Sequence, residues 1–205
     1  GPGGATPYSW QIGKPYELAS ILQIPIVYDF RSADIALGGQ GAPLLPIFHH
    51  KLFADNLRSR AIVNIGGIAN ITIMPRGHSQ PSQGFDTGPG NVLLDRWVHK
   101  HLGVEFDQDG QWGQTGSVIE PLLAVFYNDP YFSASDPKST GLEYFNLNWL
   151  DKHDLSQYQP CDVQATLEQL TALSIGDALS LHLPDCNDLI VVGGGMKNAS
   201  LLNRL

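Results

Sequence analysis

Asp86 is the carboxylate whose neighbours look most like a reaction centre. It stands in Gly84-Phe85-Asp86-Thr87-Gly88-Pro89-Gly90-Asn91, where an extended segment runs into a glycine-rich turn and then a helix. A carboxylate at such a junction is held near bound ligand and can take a proton from water or a hydroxyl. The competing reading is a carboxylate that only hydrogen-bonds to its own loop. Three glycine-bearing turns follow extended segments: Gly66-Gly67, Gly88-Pro89-Gly90 and Gly193-Gly194-Gly195. Successive amide N–H groups with no Cβ in the way suit anions, most strongly at helix N-termini. Ordinary tight turns are the bland alternative for any one of them.

Neither common nucleotide fingerprint is present. Lys138-Ser139 has no glycine at the spacing a P-loop requires, and Gly193 and Gly195 are followed by Met196, Lys197 and Asn198 where a third glycine should come. The seven histidines show no metal-binding spacing, with His49-His50 and His99/His101 expected on helix surfaces or stripe edges, so no metal site made by protein ligands is expected. Asp107-Gln108-Asp109-Gly110 carries its glycine too early for a calcium loop and reads as a turn. Ser135 and Lys138 match SxxK without the partner motifs of that chemistry. Arg31, after an apolar stretch, can hold an anionic substrate or form a structural ion pair.

The elements that must position these residues follow from pattern. Pro15–Leu22 can begin a helix at its proline. Residues 24–28 (IPIVY) predict a short buried strand, and a second helix is expected over 43–53. Residues 60–74 (RAIVNIGGIANITIM) are β-rich on both sides of Gly66-Gly67, a hairpin signal. A third extended segment reaches Phe85 and is broken by residues 86–90. Asn91 can cap a helix over 92–102, with Leu94, Trp97, Val98 and Leu102 as its buried stripe and Gly103 as its left-handed stop. Residues 119–128 predict another helix, and 131–160 read as irregular. Asp162 can cap a long, well-buried helix over 163–183, followed by the strand 189–192 and a last helix from Asn198. Strands in a meander, then strands alternating with helices, make an α/β chain, with a boundary near 55–60.

Composition sets the outer limits. Hydrophobic residues are 42% and charged residues 16%, a balance that excludes intrinsic disorder. With 12 Lys+Arg against 20 Asp+Glu the net charge is −8, which argues against nucleic acid as a partner. No apolar run approaches a membrane span, and the first residues resemble no signal peptide. Cys161 and Cys186 cannot make a disulfide framework, so a reducing cytoplasm is the expected location.

Taken together, the strings DFRSADIALGGQGAPLLPIFH (29–49), IVNIGGIANIT (62–72), GFDTGPGNVLLDRW (84–97), DPKSTGLEYFNLNWL (136–150), DVQATLEQLTALSI (162–175) and VVGGGMKN (191–198) resemble anhydro-N-acetylmuramic acid kinase, collinearly over essentially the whole chain. The resemblance implies an actin-like ATPase (ribonuclease-H-like) fold of the actin and hexokinase superfamily, with mixed sheets flanked by helices in two lobes and nucleotide in the cleft. Residues 1–58 would be the C-terminal part of lobe I, on the sugar side, and 59–205 the ATP-binding lobe II. The implied reaction is ATP-dependent phosphorylation at O6 of 1,6-anhydro-N-acetylmuramic acid, with water opening the anhydro bridge, in peptidoglycan recycling. Asp86 matches the general base. Asn64, Gly66, Gly67 and Asn70 would bind the ATP phosphates, and Gly193, Gly194, Gly195 and Asn198 would lie against adenosine. Arg31, Gln40 and Lys138 would contact sugar, Mg²⁺ would accompany ATP, and a homodimer is left open.

The family also carries an MSGTSxDG loop and an SHGQT segment, and neither occurs in these 205 residues. The expectation is therefore a fragment, incomplete at both ends, with feeble or no turnover on its own. Two other readings stay open: a non-catalytic nucleotide-binding fragment of the same fold, and a glycosidase, for which no second carboxylate stands out.

Overall fold

A computed structural model describes residues 8–39, 41–77 and 82–205. The chain divides into two compact units, Gly1–Leu44 and Leu45–Leu205. In the first, α1 (Pro15–Leu22) starts at its proline and stops at Gln23, which takes a left-handed conformation. Helix α2 (Phe30–Ala36) follows. The strand expected over 24–28 is not formed. Pro25 offers no N–H, and no strand pairs with the segment among the described residues, so Ile24, Val27 and Tyr28 stay exposed.

The second unit is built on a four-stranded mixed sheet. Strands β1 (Arg60–Ile65), β2 (Ile68–Met74), β3 (Gln83–Pro89) and β4 (Asp188–Val192) lie in the order β3-β2-β1-β4. The first three form an antiparallel meander, and β4 joins parallel to β1. A parallel neighbour demands a long crossover. Helices α4 (Asn91–Leu102), α5 (Glu120–Tyr127), α6 (Leu147–Leu150) and α7 (Pro160–His182) lie within it. After β4 comes a 3-10 turn, Gly194–Lys197, and then α8 (Ala199–Leu202). No helix among the described residues is long and apolar enough to cross a membrane.

Alternation along the strands sorts the two faces. Ala61, Val63, Ile65, Ile71 and Phe85 join Leu93, Leu94 and Trp97 of α4 and Leu167, Leu170 and Ile175 of α7 in one core. Full burial of side chains this size contributes about 1.5–3 kcal/mol each, which fixes the register because a one-residue slip would turn the whole set outward. Trp97 Nε1 donates to the Pro160 carbonyl at 2.8 Å, tying α4 to the start of α7. The opposite face is met by α3 (Pro46–Phe53), whose buried His49 bonds Thr72 of β2 at 2.8 Å. His49 thus points inward, not to the helix surface its sequence neighbours suggest.

Several boundaries differ from the sequence pattern for local reasons. Strand β3 continues through Asp86 to Pro89, accommodated by a register irregularity at Ala69/Asn70. Helix α4 takes in Asn91, with Gly90 at its N-cap, because the Asn91 amide donates to the Ile65 carbonyl at 3.2 Å rather than capping. Gly103 does stop that helix in the left-handed region, but Leu102 is half exposed where the stripe runs off the core. Helix α7 begins at Pro160, so Asp162 lies inside its first turn and accepts the Ser117 N–H at 2.7 Å.

Candidate active site

The register across three strands sets the site. Asn64 of β1 is paired with Asn70 of β2, and Asn70 with Asp86 of β3. Residues paired across strands share a face, so two amides and a carboxylate form one row near the hairpin end of the sheet. The N–H of Asp86 donates to the Lys138 carbonyl at 3.0 Å, and its carbonyl accepts the Tyr131 hydroxyl at 2.7 Å. Both main-chain groups therefore serve the outer edge of β3, which makes Asn70–Asp86 a non-hydrogen-bonded pair, the kind whose side chains stand closest.

Only 8% of Asp86 is exposed. Its Oδ2 accepts the Ser139 hydroxyl at 3.1 Å and the Thr140 N–H at 3.0 Å. Burial pushes its carboxyl above the ordinary carboxylate range, and the Thr140 and Ser139 bonds pull it part of the way back. A largely buried carboxylate with one oxygen held by donors is suited to accept a proton from water.

On the other side of Asn64 lies the turn after β4. Gly193 has φ +88°, a conformation L side chains rarely take, and a Cβ there would come within 2.5 Å of Asn64 Oδ1. Gly194 and Gly195 border a cavity of about 330 Å³ lined also by Asn91, Leu94, Asp95, Lys197 and Asn198. One turn thus touches the polar row at Gly193 and the cavity at its next two residues.

The remaining two turns are joined to each other. The Gly66 carbonyl accepts the Asn91 N–H at 2.8 Å, and the Gly67 carbonyl accepts Gly90 N–H at 2.9 Å and Val92 N–H at 3.1 Å. The first amides of α4 are therefore consumed by protein carbonyls, and the turn at residues 88–90 does not offer them to an anion. In a trans peptide the next N–H points opposite to the carbonyl. With both carbonyls on α4, the amides of Gly67 and Ile68 face away from it. Neither Gly66 nor Gly67 takes a left-handed φ. Tight approach is what demands small residues here, since a Cβ at Gly90 would lie 2.3 Å from the Gly66 oxygen.

A family model described as anhydro-N-acetylmuramic acid kinase matches residues 1–205. The chain belongs to the anhydro-N-acetylmuramic acid kinase family. Proteins named anhydro-N-acetylmuramic acid kinase from the Dugway and Nine Mile phase I strains of Coxiella burnetii are 48% identical to it over 205 residues. The match covers 100% of this chain and 55% of each relative, so the chain spans about half the length of the curated relatives it matches.

Within this family member, the structure brings together Asn64, Gly66, Gly67, Asn70, Asp86 and Gly193 of the residues nominated from sequence. Asn198 lines the cavity, but its Oδ1 accepts the Leu201 N–H at 2.9 Å as the cap of α8 and its Nδ2 donates to Glu168 at 3.3 Å. Lys138 turns its Nζ toward the Phe132 and Ala134 carbonyls, at 3.2 and 3.4 Å, and toward Asp136. In the first unit, Arg31 donates to the Gly41 carbonyl at 2.6 Å. Gln40 lies outside the described residues. Among the described residues no group of three or more His, Cys, Asp or Glu side chains is placed to hold a metal ion.

Sequence reasoning missed Asp95, Ser139, Thr140 and His182. Asp95 follows Asn91 by one helical turn and lines the cavity, a spacing that could have been read from the predicted helix. Burial lifts its carboxyl to about 6. Ser139 and Thr140 reach Asp86 from 53 and 54 residues away, and His182 reaches Asp136 across 46. Nothing local announces those pairings.

Proposed function

We propose that the chain supplies the proton-accepting and nucleotide-holding part of an anhydro-N-acetylmuramic acid kinase of actin-like fold, with residues 1–58 in lobe I and 59–205 in lobe II. The observation that carries this reading is the shared row of Asn64, Asn70 and Asp86 beside the glycine turns at 66–67 and 193–195. ATP, with Mg²⁺, would supply the phosphoryl group transferred. The amides of Gly67 and Ile68, facing away from α4, suit its phosphate oxygens, and Asn64 and Asn70 add side-chain amides to the same edge. The 330 Å³ cavity beside Gly194 and Gly195 suits the adenosine.

Asp86 then acts on water. Its carboxylate takes one proton as the water oxygen bonds to the anomeric carbon of 1,6-anhydro-N-acetylmuramic acid. The bond from that carbon to O6 breaks, and O6 receives the γ-phosphoryl group as the bond to ADP is cleaved. The products are N-acetylmuramic acid 6-phosphate, ADP and a proton left on Asp86. Desolvation of Asp86 raises its basicity, while Oδ2 is anchored by two donors. Transfer itself depends chiefly on alignment and on neutralising phosphate charge. The product would enter cell-wall sugar recycling in the cytoplasm, and a homodimer is the assembly to look for.

Coupled ADP release from the full-length gene product, with and without the anhydro-sugar, tests the reading. Sugar-dependent release should fall about 10²–10⁴-fold in Asp86→Asn, the range ascribed to a general base. Nucleotide binding without sugar-dependent release would favour a non-catalytic nucleotide-binding protein. Release unaffected by Asp86→Asn would overturn the assignment of the base.

A further inference from the structure

Asp86 sits on an edge strand, and one segment lying along that edge meets both its main chain and its carboxylate. Residues 136–140 are that segment. The Lys138 carbonyl takes the Asp86 N–H, Ser139 and Thr140 together hold Oδ2, and Oδ1 has no hydrogen bond among the described residues. The segment is itself pinned at its start. His182, the last residue of α7, meets Asp136 Oδ2 at 2.7 Å while its ring packs on Phe85 with centroids 4.9 Å apart. Lys138 Nζ lies 3.7 Å from the other oxygen, Asp136 Oδ1, and 5.1 Å from the centre of the Tyr131 ring. Asp136 and Lys138 are each only 14% exposed at the side chain, so these contacts are not screened as a surface pair would be.

From this geometry we infer that Ser139 and Thr140 are positioning residues that leave Oδ1 of Asp86 as the proton-accepting oxygen, and that the Asp136–His182 pair is the latch holding them in place. The inference rests on the reading of Asp86 as the base. An unlatched segment would release Oδ2, and the carboxylate could then rotate so that neither oxygen is fixed toward water. Ser139 also favours the ionised carboxylate by donating to it. Among the described residues, the charged and titratable groups around the latch are Tyr131, Asp136 and Lys138 from the edge segment, Asp177 and His182 from α7, and Tyr127 of α5, whose hydroxyl donates to Asp177. Asp136, Lys138 and His182 form the latch itself, so the latch variants alter the local charge as well as the geometry.

Two measurements on the full-length gene product test this together. The first is the titration midpoint of the Asp86 carboxyl carbon by ¹³C NMR, identified by its loss in Asp86→Asn. The second is the pH profile of kcat/KM for sugar-dependent ADP release. Ser139→Ala should raise both the midpoint and the acid limb by about one pH unit, the worth of a hydrogen bond to a charged group. It should lower kcat about tenfold with little change in KM for the sugar. His182→Ala should reproduce the upward shift, and His182→Gln, which keeps a donor toward Asp136, should restore most of it. A midpoint and acid limb unmoved by both Ser139→Ala and His182→Ala would overturn the inference even if Asp86 proves essential. A shifted midpoint in a protein with no sugar-dependent release would instead keep the positioning role and remove the kinase reading.

Discussion

Asn70 stands directly opposite Asp86 on neighbouring antiparallel strands, and the two belong to a pair whose main-chain groups point away from each other. The amide gives the carboxylate a neutral polar neighbour at the closest cross-strand spacing. A second carboxylate there would meet it as a like charge.

Asn70→Asp should therefore raise the Asp86 titration midpoint and cost about 1 kcal/mol of stability at neutral pH, the size of a like-charged cross-strand pair. The cost should shrink as acid protonates either one of the pair, since the repulsion needs both charges. Urea unfolding at about pH 4 and pH 8 checks this, and an equal penalty at both would show that the pair does not interact electrostatically.

Gly90 carries the contact between the 66–67 turn and the start of α4. A Cβ there would sit 2.3 Å from the Gly66 carbonyl oxygen and 3.2 Å from the Ala69 nitrogen, both backbone atoms that cannot swing aside. Gly90→Ala should cost about 1–3 kcal/mol as overpacking. Amide exchange at Asn91 and Val92 should quicken, because their acceptors are the carbonyls pushed away.

Asp95 makes stability fall with rising pH. Its carboxyl titrates near about 6 in the fold because burial disfavours the charge, well above an unfolded aspartate. The native state holds the proton more tightly, so this group's contribution is complete below about pH 4 and is lost as pH rises through the folded value. Asp95→Asn is neutral throughout. Its stability relative to the parent should grow by about 1–2 kcal/mol between pH 4 and pH 7. That range follows from about 1.4 kcal/mol for each tenfold difference in proton affinity, reduced for the solvent that still reaches a half-buried side chain. Paired denaturation curves at the two pH values give the answer.

Glu168 is fully buried on α7, where it receives Ser200, Asn198 and Arg204, the last at 3.3 Å. Burial raises its carboxyl despite those donors. Arg204→Ala leaves a buried carboxylate without its cation and should cost about 3 kcal/mol. It should also loosen nucleotide binding under the proposed adenosine assignment, since Asn198 both caps α8 and borders the cavity. Adding Glu168→Gln should recover much of the stability, and a double variant no better than Arg204→Ala would locate the loss elsewhere.

The sequence alone determined the pieces whose cause is local. Alternating apolar residues around Gly66-Gly67 and the apolar run ending in Gly193 specified strands and turns, because strand pairing and glycine chemistry act over a few residues. Asp86 stood out for the same reason, by its place between an extended segment and glycines. Where the signal was only local propensity with no partner, as at residues 24–28, the expected strand failed to form. Tertiary structure decided what depends on register and distance. It aligned Asn64, Asn70 and Asp86 in one row, turned the 66–67 carbonyls onto α4, and brought Ser139, Thr140 and His182 to the edge of β3. Those contacts join residues far apart in the chain, and their energies exist only once the sheet has set which strand lies beside which.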